Sequence, residues 1–484
     1  MPFLFALPSS GTISARITAT QAKLDSACGT HNVKLVFMCQ NSEYILDFSQ
    51  ANPQIQQMAG LAGSFYAVLS SDGQWVTYQT GVESDGGSSS PVKAKSWIRE
   101  AAVAGTPVLV ADTAFVPRFV QNTSTATPEI VYATNIVCPG NICYNQGKTL
   151  KRKIVNNMPQ AAEVVCSNGS YYGGLSWDNR YLCSGWDGGP NGFILDLQNT
   201  GGVPHGVHTM RVKKNGTNAD TVVTIGVCNI SRSASRIFTN TMLYFDFGSA
   251  AIAAAGCYHP LLGSSWGMHE KLFVSRYDSE DLRVFDMPVD QKIISSNDAN
   301  GVGEPVGKQW DFPEWSNHPY YAAASLLVDR LYQVAGNWDH VQNREAIYLV
   351  NLKDSSYIRL LESTDTSYAS KTSFMYPFVN VAMPESFVED STWLSQTIWD
   401  RAAQGVVNPN FFNGGKSAMY MVEKGKTAII TVYSVKGQKL LSTVQPAASW
   451  NATELLKPFK AGIYFIGIGF EGKKQQIVRW IKTH

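Results

Sequence analysis

Short apolar runs recur along most of the chain, each closed by a polar turn. Five segments repeat one pattern: a short strand, a turn of Gly, Asn, Asp or Ser, then a second strand. They begin at Ser64 (SFYAVLSSDGQWVTYQTG), Pro117 (PRFVQN…EIVYATN), Ser170 (SYYGGLSWDNRYLCSGW), Cys228 (CNISRSASRIFTNTMLYFDF) and His318 (HPYYAAASLLVDRLYQVAG). A sixth, from His269 (HEKLFVSRYDSEDLRVFDM), follows the pattern more loosely, and the starts lie 53, 53, 58, 41 and 49 residues apart. The runs alternate or are fully apolar, as strands do. Several units close on a further strand with an acidic or amide residue, such as Phe193-ILDL, Leu243-YFDF, Leu282-RVFDM and Ala346-IYLVNL. That is the content of four-stranded blades, and a repeat of this period points to radial architecture. Helical spacing is scarce. Ser96–Gly105 predicts a short helix, and Ser391–Ala403 a stronger one, with Trp393, Leu394, Ile398 and Trp399 on one face.

The pattern changes near residue 410. VVNPNFFNGG, residues 406–415, carries Asn-Pro and Gly-Gly and reads as a linker. From Lys416 to His484 the chain holds 11 basic and 3 acidic residues, a balance of +8, against −7 for the rest. The tail predicts strand, turn at Lys436-Gly437, strand, a short helical turn, then two strands around a Gly turn. This is a small β-sandwich. The expected fold is therefore all-β: a six-bladed propeller, seven-bladed if the drifting units hide another, over residues 1–405. Its blades span roughly 60–380, N-terminal strands close the ring, and residues 416–484 form the sandwich.

Two resemblances follow from these residues. The turns Ser71-Asp72-Gly73 and Ser176-Trp-Asp178-Asn179 resemble the Ser-Pro-Asp-Gly hairpin of TolB-like β-propellers. Asp-Gly and Asp-Asn suit tight hairpins because both tolerate positive φ. The tail, through Tyr433-Ser-Val-Lys-Gly437, Ala461-Gly-Ile-Tyr464 and Val478-Arg-Trp-Ile-Lys482, is similar to the C-terminal sorting domains of type IX secretion. That resemblance implies secretion machinery as a partner and a secreted or cell-surface location. A carbohydrate-binding or generic Ig-like module is the rival reading of the tail.

Composition narrows the function. The chain has 484 residues, 16% charged and 11% aromatic, which excludes disorder. A net charge of +1 argues against a nucleic-acid binder. No apolar run reaches transmembrane length. Met1–Pro8 reads equally as a trimmed signal peptide or an N-terminal strand. Eight cysteines, all between Cys28 and Cys257, suggest sequence-adjacent disulfides: Cys28–Cys39, Cys138–Cys143, Cys166–Cys183 and Cys228–Cys257.

Candidate chemistry gathers where inner strands would open into a central funnel. If the units align, Ser64, Arg118, Ser170 or Tyr171, Asn229, His269 and His318 converge there. Trp266-Gly-Met-His269-Glu270 and Pro313-Glu314-Trp315-Ser-Asn317-His318 each set a His beside a carboxylate and a Trp. His269 and His318 would hold one divalent metal ion, completed by Asn317 or Glu270. Alternatively, these histidines with Glu270 and Glu314 would share acid–base work on a glycosidic bond. The plainer alternative is that each His caps a strand. Trp266 and Trp315 would offer stacking faces for sugar rings, and Trp186 in Gly185-WDGGPNG would touch a ligand from the rim. Arg118 would pair with a uronate or other carboxylate through bidentate bonds, or form a structural ion pair with Glu270 or Asp178. His205-Gly-Val-His208 has metal-like spacing, but on a strand or loop that spacing does not fix both rings on one face.

The preferred reading is a secreted bacterial propeller that binds extracellular polysaccharide or oligosaccharide through its funnel. A polysaccharide lyase or glycoside hydrolase and a cell-surface interaction scaffold are the rivals. Fold alone does not decide among them.

Overall fold

The computed structural model describes residues 13–61, 63–81, 94–123, 126–134, 148–167, 173–184, 193–198, 205–206, 209–217, 219–224, 227–246, 250–259, 263–264, 269–276, 282–285, 305–334, 337–365, 372–391, 393–394, 419–420, 427–434, 439–446, 450–451, 458–460, 462–470 and 476–482. The chain divides into two compact units, Met1–Ser391 and Thr392–His484.

The described residues of the first unit form six antiparallel sheets of the blade type. Blade 1 takes its innermost strand, Met375–Val381, from the far end of the unit and its outer strands, Val33–Cys39, Ser42–Asp47 and Ile55–Gln57, from the near end. Blade 2 runs Ser64–Leu69, Trp75–Thr80, Lys95–Glu100, Val108–Asp112. Blade 3 runs Ala114–Phe119, Glu129–Thr134, Lys148–Val155, with Glu163–Cys166 beyond. Blade 4 runs Gly174–Leu175, Tyr181–Ser184, Phe193–Asp196, His205–Gly206. Blade 5 runs Val227–Arg232, Thr241–Asp246, Leu272–Arg276, Leu282–Phe285. Blade 6 runs Pro305–Trp315, Tyr321–Val334, Asn337–Asn351, Tyr357–Ser363, and Ala15–Ile17 adds a fifth strand at its edge.

The innermost strands close a ring. Those of blades 1 and 2, 2 and 3, 4 and 5, 5 and 6, and 6 and 1 lie against one another, and blade 3 meets blade 4 through its second strand. The unit is a β-propeller, and the chain is all-β apart from short helices. Closure leaves few open edges, as radial repetition requires. Blade faces stack through buried apolar side chains; one cluster joins Val36 and Ile45 of blade 1, Val68 and Ile98 of blade 2, and Phe119 and Tyr132 of blade 3.

Turn chemistry sets the hairpins. In blade 2 the Ser70 hydroxyl donates to Asp72 and accepts from the Trp75 N–H at 3.0 Å, and Gly73 has φ +68°. In blade 4 Ser176, Asp178 and Tyr181 repeat the arrangement, with Asn179 at φ +58°.

Several expectations are corrected. Ser96–Gly105 is not helical: Lys95–Glu100 is a central strand, paired with Trp75–Thr80 and Val108–Asp112. Sheet pairing overrides its local periodicity. Cys28, Cys39, Cys166, Cys183 and Cys257 take part in no disulfide, so the Cys28–Cys39, Cys166–Cys183 and Cys228–Cys257 bridges are not formed. Cys138–Cys143, residues 406–415, Met1–Pro8 and most of Ser391–Ala403 lie outside the described residues. The repeat was also misphased at its end. Leu272–Arg276, after His269, is the third strand of blade 5, and Tyr321–Val334, after His318, is the second strand of blade 6. The true innermost strands there are Pro305–Trp315 and Met375–Val381.

The second unit carries a four-stranded antiparallel sheet in the order Lys439–Pro446, Thr427–Ser434, Gly462–Phe470, Gln476–Lys482. A short ladder joins Met419–Tyr420 to Trp450–Asn451. These strands are compatible with the expected sandwich.

Candidate functional site

Five of the six described innermost strands depart from regular pairing at one level of the ring. In blade 2, Phe65 and Val68 pair with Gln79 and Thr77, so one extra residue is accommodated. The same one-residue bulge separates Phe115 from Arg118, Cys228 from Ser231, Asp311 from Glu314, and Met375 from Phe378. The first residue inside each bulge is left-handed: Tyr66 at φ +60°, Val116 at +48°, Asn229 at +49°, Phe312 at +48° and Tyr376 at +50°. In blade 4, Gly174 has φ +112° without a register shift, and it stands two residues before the turn residue Ser176, as Glu314 does before Ser316. Non-glycine residues in this region cost about 1–3 kcal/mol each and persist only where surrounding structure holds them. The pattern carries a sequence signature the strand repeat concealed: Val116-Pro117, Phe312-Pro313 and Tyr376-Pro377 place proline directly after the left-handed residue.

These bulges line a central cavity. Its wall is Tyr66–Val68, Arg118, Asn229–Ile230, Phe312–Glu314 and Tyr376–Phe378. Tyr376 lies between Tyr66 and Phe312, with both ring centroids 4.2 Å from its own and the planes tilted by 49° and 53°, so one side of the wall is a packed aromatic cluster. The other side is charged. Arg118 Nη2 meets Glu314 Oε2 at 3.1 Å, both side chains largely buried, and Glu314 Oε1 accepts from the Ser231 hydroxyl at 3.1 Å. Arg118 Nη1 donates to its neighbour's carbonyl, Pro117 O, at 3.0 Å. Asn229 donates to Asp311 at 3.2 Å, and Asp311 is held by Arg344 at 2.7 Å. Arg232, from the same strand as Ser231, is fully buried, and burial lowers its guanidinium to about 10 despite the opposing pull of Glu314.

Three sequence candidates therefore meet in the cavity: Arg118, Asn229 and Glu314. Arg118 pairs with Glu314 rather than with Glu270 or Asp178. The rest are elsewhere. His318 sits in the turn after the innermost strand of blade 6, packed against Tyr320, Tyr321 and Phe387. Its Nδ1 accepts from the Tyr320 N–H at 3.2 Å, and burial pushes its imidazole down to about 3. His269 precedes the third strand of blade 5, with its ring on Phe245 and its carbonyl accepting from the Trp310 N–H at 2.8 Å. Burial likewise holds its imidazole below the usual range. Glu270 follows it, outside the cavity wall. The two histidines are thus not at one phase of successive units, because the alignment that put them there was two strands out at His269 and one at His318. Among the described residues no cluster of three or more His, Cys, Asp or Glu is placed to hold a metal ion.

Trp315 is 1% exposed and donates from Nε1 to Pro319 O at 3.1 Å, so it is a packing residue and not a stacking platform. Asn317 staples blades. Its Nδ2 donates to Ser71 O at 3.0 Å and Val381 O at 2.9 Å, and its Oδ1 accepts from the Val381 N–H at 2.8 Å. Trp266, Tyr171, Trp186 and His208 lie outside the described residues, as does the side chain of His205. Sequence reasoning missed Tyr66, Phe312, Tyr376, Ser231 and Arg232; the recurring hydrophobic-Pro dipeptide was the available signal for two of the three aromatic positions.

No protein-family model matches this chain, and no curated protein matches its sequence. Solved structures do. The β-propeller domain of Cps50 (Swd1) from Myceliophteria thermophila aligns over 74% of this chain and 99% of its own, at 8% identity and TM-score 0.32. Dihydro-heme d1 dehydrogenase NirN aligns over 74% and 81%, at 12% identity and TM-score 0.29. Citrobacter koseri AztD aligns over 72% and 71%, at 9% identity and TM-score 0.24. The propeller assignment rests on the closed ring itself.

Proposed function

We propose that the first unit binds an extracellular saccharide in its central cavity. The observation that carries this reading is the wall itself. An aromatic cluster of Tyr66, Tyr376 and Phe312 stands beside the convergent polar groups of Arg118, Glu314 and Asn229. Flat apolar faces with a few placed polar groups suit a sugar ring, which presents C–H faces and a hydroxyl rim. Glu314 is the one carboxylate among the described lining residues, and it is engaged by Arg118 and Ser231. Two-carboxylate hydrolysis needs a second acid across the cleft. Binding is therefore the stronger reading, and a lyase or hydrolase the weaker. The TolB-like hairpins and the sorting-type tail support a secreted or surface-attached protein of this kind. Among the described residues, no helix is long and apolar enough to cross a membrane.

The test is incubation of the purified chain with plant and microbial polysaccharides, with and without chelator. Binding is read by affinity electrophoresis and new oligosaccharides by mass spectrometry. Retardation without product supports the binding module. Product release would make the protein an enzyme, and chelator-sensitive release would restore the metal reading. Retardation by no polysaccharide would refute the proposal.

A further inference from the structure

One carboxyl of blade 1 is sealed inside the fold with nothing to hold its charge. Glu43, on the third strand of the blade, is fully buried, and neither of its carboxyl oxygens makes a hydrogen bond. It pairs across the ladder with Met38, and Ile45 stands two residues on, on the same face of the strand. Ile45 packs into the apolar cluster that holds Val68 and Leu69 of blade 2. Met38 packs into the cluster that holds Phe65 and Tyr66 of blade 2 with Tyr376 of blade 1. Glu43 therefore faces the innermost strand of blade 2, in the seam between the two blades. Ala67 of that strand lines the cavity, and its N–H is the one group that favours the ionised form of Glu43.

No cation compensates this carboxyl. On the surrounding strands, Lys34 donates to Gly73 O at 3.2 Å and sits beside Asp47. Arg99 of blade 2 donates to Ala59 O at 2.7 Å and Ala102 O at 2.6 Å. The other titratable side chains there are Cys39, Tyr44, Tyr66, Tyr78 and Tyr376, and Ile55–Gln57 carries none. Burial pushes Cys39 up to about 11 and Tyr78 up to about 12, and it raises Tyr44. None of these groups acts on Glu43, whose carboxyl burial pushes up to about 8 against the weaker pull of the Ala67 N–H. An unpaired carboxylate costs far more to bury than the neutral acid.

We infer that Glu43 is a proton-held latch between blades 1 and 2: the neutral acid stays in the seam, and loss of its proton favours opening of the seam behind the Tyr66 and Tyr376 side of the cavity. This holds whatever the cavity binds. An opened seam returns the carboxyl to water, where it ionises near 4.5. The closed form then carries the extra proton from 4.5 up to about 8. The stabilisation is therefore full below 4.5, declines as pH rises, and is gone above about 8.

Hydrogen exchange of the full chain, read by mass spectrometry on peptides covering Ser64–Leu69 and Val33–Cys39, tests the latch against Glu43→Gln. Relative to the variant, the wild-type seam should lose protection by about tenfold for each pH unit between about 5 and 8, then level off. Blades 4 and 5 should show no such difference between the two proteins. Because Glu43→Gln could fail to fold, Glu43→Met is measured beside it and should also remove the pH dependence. The proton is read directly by infrared spectroscopy: at pH 7 the wild-type minus variant spectrum should show the carbonyl stretch of a neutral carboxylic acid. A carboxylate band in its place would overturn the latch. So would equal pH dependence of seam exchange in wild type and variants, or a difference spread evenly over all blades.

Discussion

At one end of the innermost strands Ser70, Ser176 and Ser316 close their hairpins with paired hydroxyls, and Asn317 and Asn380 tie the turn of blade 2 to blades 6 and 1. His318 there is spent on a neighbouring backbone N–H. Farther along the same strands stand five left-handed non-glycine residues and an ion pair in a cavity. One strand, Pro305–Trp315, carries both Glu314 in the cavity and the approach to the satisfied turn at Ser316. Buried polar groups are normally paired, and strain gathers where function needs a fixed, unusual geometry. Polar residues at the turns therefore serve stability, and polar residues at the bulges stand where the proposed ligand would be met.

The comparison can be broken by substitution. The largest effect is expected at Gly173, where a Cβ would sit 1.5 Å from Cys183 O. Gly173→Ala should separate the first two strands of blade 4 and cost about 3 kcal/mol or more, read as the urea midpoint. Next is Glu314→Gln, which leaves two buried guanidiniums without their carboxylate. A loss of about 3–5 kcal/mol is expected, together with altered saccharide affinity. Asn317→Ala should cost about 1–3 kcal/mol, from buried hydrogen-bonding groups left unpaired, with affinity unchanged. A changed affinity in Asn317→Ala would erase the distinction between the two ends.

The smallest effect at neutral pH is expected from His318. Its imidazole is neutral in the fold, held near 3 by burial first and by nearby Arg236 second, whereas the unfolded chain takes a proton near 6.5. The unfolded state binds more protons below that value, so this contribution is fully present above 6.5 and is lost as pH falls toward about 3. Denaturation midpoints from neutral to acid pH should decline less steeply in His318→Gln.

The propeller was legible because its turns are local. Ser70-Ser-Asp72-Gly73 and Ser176-Trp-Asp178-Asn179 specify hairpins through side chains within a few residues, and four of the innermost strands could be placed from them. The phase failed at His269 and His318 because blade 6 is built of long strands, and any strand in an all-β repeat resembles its neighbour. The helix expected at Ser96 failed because strand pairing from both sides decided that segment. Arg118, Asn229 and Glu314, which line the cavity, were legible as candidates. The aromatic face was not, because it depends on left-handed backbone at Tyr66, Phe312 and Tyr376. Backbone handedness has no periodicity in the sequence; only the proline after Phe312 and Tyr376 marks it. Arg232 gave no signal at all, since its unpaired state depends on what surrounds it in space.

The central claim is that ligand binds at the bulges and not at the turns. The most direct measurement is saccharide affinity in Tyr376→Ala and Asn317→Ala, side by side, by calorimetry. The account predicts a loss of about tenfold or more in Tyr376→Ala, from removal of the middle of the aromatic face, and wild-type affinity in Asn317→Ala. Wild-type affinity in a folded Tyr376→Ala protein would contradict it.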